Sequence, residues 1–201
     1  MIPMPRWITV LVGGVIASVV ASAQTTQIEL AEVHCPSVLG VGINTDLVFC
    51  DVLIQQEAGL GTVVLLPARR GEATLSFNLH NRHTYSEEEV RTRRAFAAYT
   101  AEVAIASMEG DVLARRFIQT EFRSVDDLVD RVTGGAGPQG VKAIAPSGTE
   151  RVFVTVPVEL DEVVIVGQGL EVVRLDSRDN FRTAGRPIAV VSDVRVEYQA
   201  R

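Results

Sequence analysis

Two imidazoles three residues apart, His80 and His83, are the side chains whose types and spacing best suit chemistry. They stand in Leu79-His80-Asn81-Arg82-His83, shortly before Glu87, Glu88 and Glu89. Imidazole nitrogens and carboxylate oxygens together suit zinc or another transition metal. A strand sends residues three apart to opposite faces, so both reach one ion only if the chain turns between them. A metal site also needs three or four fixed ligands. The competing reading is a polar strand end followed by a solvated acidic segment. His80 and His83 are the candidate metal ligands, and they support the alternative of a metal-binding protein or metal-dependent hydrolase.

Other chemical signals are weaker. Gly135-Ala136-Gly137-Pro138-Gln139-Gly140 fits G-x-G-x-x-G, but a dinucleotide loop follows a strand and opens a helix. Here a helical pattern comes first and Pro138 interrupts the motif. Val141 stands where a P-loop requires Lys, so no nucleotide and no other cofactor is expected. There is no G-x-S-x-G elbow and no H-E-x-x-H pair. Asp126, Asp127 and Asp130 are close in sequence, and paired carboxylates hydrolyse glycosides, yet acids at a helix start also complement its dipole. Asp176-Ser177-Arg178-Asp179-Asn180 reads as a turn, because Arg178 spoils a calcium loop. The Arg91, Arg93 and Arg94 cluster beside Glu87 to Glu89 reads as surface ion pairs.

Export shapes how the cysteines are read. In the 201-residue chain, residues 1–23 hold one charge, Arg6, followed by the apolar run Trp7 to Val20 and the small-residue site Ala21-Ser22-Ala23. That order is the secretory signal pattern. It predicts a signal peptide over 1–23, a single domain over 24–201, and a periplasmic or extracellular location. An uncleaved anchor fits less well, because the apolar run is short for a bilayer span and Gly13-Gly14 interrupt it. No transmembrane segment is expected after cleavage. The two cysteines, Cys35 and Cys50, then pair most simply as one disulfide, ahead of a metal pair with His34 or two free thiols.

Removing Arg6 leaves 18 basic residues against 25 acidic ones, a net charge of -7. Such a balance argues against sequence-independent nucleic-acid binding, which needs a basic face. Aromatics are 5% of the sequence and the only Trp lies in the signal segment, which weakens a carbohydrate-platform reading.

The elements that must position these residues are strands. Ala73-Leu75-Phe77-Leu79, Val152-Val154-Val156 and the run Ile188 to Tyr198 alternate apolar and polar residues. Period two places one face on a core and the other in water. Further strands are predicted over 26–33, 46–55, 62–66, 97–107, 112–122, 162–166 and 170–175. Glu109-Gly110-Asp111 predicts a hairpin turn, and Gln168-Gly169 predicts another. Ser86 to Arg93 is read as a loop or one helical turn. One short helix is predicted at about 124–133, with Ser124 and Asp127 as a near capping box. The segment 134–148 is read as a long connecting loop.

The fold class is therefore all-β, an antiparallel β-sandwich of immunoglobulin- or fibronectin-like architecture. The function expected is an exported, non-catalytic binding or structural role in the cell envelope or outside the cell. Its partner would be a protein or an envelope polymer, met at strand edges and the 134–148 loop.

Overall fold

The computed structural model describes residues 25–55, 57–132 and 143–201. The predicted signal segment over 1–23 and the G-x-G-x-x-G stretch lie outside the described residues. The alternating runs form strands, and the strands form two antiparallel sheets. One sheet runs in the order β3 (Val38–Val41), β4 (Val48–Leu53), β12 (Pro187–Ala200), β6 (Arg69–Tyr85) and β9 (Ala143–Val156). Strand β1 (Thr26–Leu30) also pairs with β12, through Thr26↔Gln199 to Leu30↔Arg195. The other sheet runs β2 (Glu32–His34), β5 (Thr62–Leu65), β10 (Glu162–Arg174), β7 (Ala97–Ala106) and β8 (Val112–Phe122), with β11 (Arg178–Phe181) paired to β10. The sheets pack face to face as a β-sandwich, with more strands than an immunoglobulin domain carries.

The residues predicted to face inward on β6 and β9 do so, as do Ile188, Val194, Val196 and Tyr198 of β12. Val190 and Ser192 instead lie on the outer face, because β12 shifts register between Ser192 and Arg195. Leu75, Phe77 and Leu79 of β6 meet Val103 and Ile105 of β7, Ile165 of β10 and Val152, Val154 and Val156 of β9 in one apolar cluster. Burying each such side chain stabilises by about 1.5–3 kcal/mol. The Ser107 to Asp111 turn joins β7 to β8 as expected, with Gly110 at φ 96.

Four expectations need correction. The helix at about 124–133 is a single 3-10 turn, Val125–Asp127. Its capping box forms, but Leu128 already bridges Ser147, so strand-like pairing ends the helix. Gln168-Gly169 is no hairpin turn: β10 continues through it with a register shift against β7 between Gly167 and Gly169. Residues 143–148 are not loop, because Ala143 to Ser147 pair with Tyr85 to Asn81 of β6. Asp179 and Asn180 lie in β11 rather than in a turn. The stretch Ser86 to Arg93 does contain one helical turn, α1 (Glu87–Arg91).

Candidate functional site

Strand β6 carries both histidines and keeps its alternation past Leu79. His83 therefore points inward with Leu79, and His80 points outward. The extra residue needed to keep register lies on β9, where Leu79↔Glu150 is followed by Asn81↔Ser147. The structure thus places the two imidazoles on opposite faces of one sheet. Among the described residues, no group of three or more His, Cys, Asp or Glu side chains is placed to hold a metal ion. Two ligands that point apart cannot complete the coordination a metal needs.

His80 is 1% exposed and both its ring nitrogens are engaged. Nδ1 donates to the Gly148 carbonyl at 2.6 Å, which leaves Nε2 to accept from the Ser192 hydroxyl at 2.9 Å. The ring therefore ties the β9 bulge to β6 and β12. Burial lowers its pKa, against the opposing effect of the Gly148 hydrogen bond. Beside it, Arg82 donates from Nε to Asp51 at 2.9 Å, and Ser37 donates to the same carboxylate.

Residues 128–132 strap this outer face. Val129 N donates to Pro146 O, and Ile43 N donates to Arg131 O. Val129 and Val132 pack on Phe49 and Val190. Asp130, 3% exposed, is the clasp. Its carboxylate accepts from Asn44 N and Nδ2, from Thr45 N and Oγ1, and from Arg131 N. Burial pushes its pKa up, but these donors prevail and hold it below the usual carboxylate range. A Cβ on Gly42 would stand 2.4 Å from Asp130 Oδ2, so this turn requires glycine. Asp127 instead accepts from the backbone N–H groups of Arg123 and Ser124. The carboxylates of Asp127 and Asp130 are thus committed to separate backbone segments and do not form a hydrolytic pair.

His83 has a different environment. Its ring stacks on Phe122 at a centroid distance of 3.7 Å and meets Tyr99 edge-on at 5.0 Å. It is 1% exposed, and neither ring nitrogen has a hydrogen-bond partner among the described residues. Burial lowers its pKa to about 3, helped by the Arg174 charge and opposed by Asp127. The ring is neutral at ordinary pH. It borders a cavity of about 620 Å³ that Arg94, Arg174, Glu89, Asp176 and Tyr99 also line. The sequence pointed to His83 for its residue type; the cavity above it comes from residues some ninety positions apart and left no local signal.

Cys35 and Cys50 form the expected disulfide, with their Cα atoms 5.8 Å apart. It joins the segment after β2 in one sheet to β4 in the other. The bridge lines an apolar cleft of about 380 Å³ with Leu30, Val33, Val48, Val191 and Val194. Around the cleft the core face of the first sheet runs on past the second sheet among the described residues. Val38 pairs with Cys50 and Val41 with Val48, so these valines share the face that Cys50 buries. Yet Val38, Val41 and Val48 are 60%, 40% and 56% exposed. Leu30 on β1, also exposed, borders the same cleft. The sequence placed Val48 in the predicted strand 46–55, gave no strand for Val38 and Val41, and gave no sign that these valines would lie open.

No family model matches the chain, and no curated protein sequence matches it. Among solved structures, the K1 cleaved adhesin domain of Lys-gingipain from Porphyromonas gingivalis W83 is 12% identical with a TM-score of 0.36. That match covers 88% of this chain and 99% of the adhesin domain. The VP2 subviral particle of infectious bursal disease virus is 13% identical with a TM-score of 0.27, covering 89% of this chain and 34% of VP2. Likeness at these scores carries no argument about function.

Proposed function

We propose that this protein is an exported, non-catalytic β-sandwich that binds a partner protein through the open edge of its first sheet. The observation that carries this reading is the exposure of the apolar Val38 and Val48 among the described residues, beside the disulfide-lined cleft. Contiguous exposed apolar surface marks interaction sites, and an edge strand offers a template for an added strand. The partner suited to it is an extended segment with alternating aliphatic side chains, which would lie along the strip and cover it. The Cys35–Cys50 bridge braces the strip and fits an oxidising compartment. No helix among the described residues is long and apolar enough to cross a membrane. The 1–23 segment supports export as the route to that compartment. The placement of His80, Asp127 and Asp130 supports a non-catalytic role, since each is engaged in holding backbone together.

The test compares two baits on proteins from the producing cell's envelope and medium. One is the mature wild-type domain and the other carries Val38→Lys and Val48→Lys. Both side chains are exposed, so the variant should fold with an unchanged circular-dichroism spectrum. A protein retained by the wild type and lost with the variant supports the reading. Equal retention by both baits, or none by either, contradicts it. Self-association of the wild type in sedimentation, abolished in the variant, would replace the partner with a second copy.

A further inference from the structure

The cavity over His83 shares none of its lining with the apolar strip, and it has a different chemistry. A buried polar atom without a partner costs about 1–3 kcal/mol, and each such atom in a folded protein calls for an explanation. His83 presents two of them at one ring. A neutral imidazole offers one N–H donor and one acceptor, so it suits a group that can both accept and donate, such as a hydroxyl.

The rest of the lining narrows the class. Arg94 and Arg174 are donors only, and Glu89 and Asp176 are acceptors only when ionised. Arg174 donates to Asp179 at 3.0 Å. Arg94 makes no ion pair among the described residues and bonds only to Thr92. A second depression shares Phe96 and Leu175 with the cavity and adds Arg93 and Arg123. The two linings together hold four guanidiniums, at Arg93, Arg94, Arg123 and Arg174, against the carboxylates of Glu89 and Asp176. Arg174 and Arg123 are paired with Asp179 and Glu121, which leaves Arg93 and Arg94 as the guanidiniums without an ion pair among the described residues.

Backbone geometry points the same way. Thr92 ends α1, and the next residue, Arg93, adopts a left-handed φ of 57°. Arg93 N bonds to Val90 O and Arg94 N to Glu89 O. This is a Schellman cap, where glycine is the usual residue. A side chain there is strained by about 1–2 kcal/mol. Such strain concentrates at functional sites.

We infer that this cavity binds a hydroxylated carboxylate of the uronic-acid type, as found in acidic polysaccharides. Guanidiniums pair with its carboxylate in the bidentate geometry they favour. Glu89, Asp176 and His83 take its hydroxyl groups, and the Phe96 ring is available for the apolar face of the sugar. A phosphate suits the lining less well. At neutral pH it keeps fewer O–H donors for the two carboxylates than a sugar ring offers, and it brings more negative charge to them.

Calorimetric titration of the mature protein with glucuronate, glucose, acetate and inorganic phosphate tests this. Glucuronate should bind at least ten-fold more tightly than each of the other three. Arg94→Gln and His83→Phe should each weaken it at least ten-fold. Arg94 is exposed, and Phe keeps the aromatic stack on Phe122, so both variants should retain the wild-type spectrum and unfold cooperatively. Equal binding of acetate or glucose, tighter binding of phosphate, or no glucuronate binding overturns the inference. So does unchanged glucuronate affinity in either variant.

Discussion

His83→Phe turns the burial of one imidazole into a measurable pH dependence. The native ring has a pKa of about 3, whereas an unfolded histidine titrates near ~6.5. The native state therefore binds the proton less readily than the unfolded chain. Stability falls as the pH drops below the unfolded value and levels off below the native one. Between pH 7 and pH 5 the unfolded ring becomes almost fully charged while the native ring stays neutral. At ~1.36 kcal/mol per pKa unit, that interval lowers wild-type stability by about 2 kcal/mol through this residue alone. Phenylalanine fills the same place beside Phe122 and Tyr99 and has no proton to bind. At pH 7 the variant should be at least as stable as the wild type, because two unpartnered nitrogens are gone. Urea unfolding of both proteins at pH 7 and pH 5, followed by circular dichroism, gives the difference directly. Taking the variant against the wild type cancels the carboxylates and His80, which titrate in both. The variant's advantage should grow by about 2 kcal/mol on going to pH 5. An advantage equal at the two pH values would refute the neutral, buried placement of His83.

Replacing Cys35 and Cys50 with Ser should lower stability by about 3 kcal/mol, read from urea midpoints at constant slope. Asp130→Ala should destabilise by roughly 3 kcal/mol, since it strands the donors of Asn44, Thr45 and Arg131 under the strap. Because the Asp130 pKa is depressed, its contribution is complete above the unfolded carboxylate range. The charge-dependent part is lost as the pH falls through the lower native value, so the wild-type advantage over Asp130→Ala should shrink in acid. Arg93→Gly should relieve the left-handed strain at the end of α1 and raise Tm by about 2–4 °C, measured by thermal unfolding.

The strands that the sequence revealed are those with one wet face, such as Ala73 to Leu79 and Val194 to Tyr198. Where the reading failed, glycine and proline were serving purposes other than turning the chain. Gly167 belongs to a continuous strand; a Cβ there would lie 2.8 Å from Ile188 and 3.0 Å from Leu53 O. Its small size permits close packing, so Gly-Gln-Gly marks a bulge. Pro146 and Gly148 suggested a loop. Pro146 is tolerated because β9 ends its sheet, and Gly148, at φ 67, sits in the bulge that His80 holds. The helix at 124–133 failed for the opposite reason: its local pattern was sound, but tertiary pairing of Leu128 and the Asp130 clasp outweighed it. Of the candidate side chains, the disulfide was legible because two cysteines in an exported chain have few options. The fates of His80 and His83 follow from strand parity, which the sequence contains. The cavity and the apolar strip depend on which residues of one sheet extend past the other, and no local spacing encodes that.

Site-specific photo-crosslinking in the producing cell puts the binding surface to the most direct test. A photoreactive side chain is placed at Val38 or Val48, and at Thr155 on the exposed outer face as a control. The open-edge account predicts one discrete adduct from Val38 and Val48, and none from Thr155. No adduct at the valines, or the same adducts from all three positions, would contradict it.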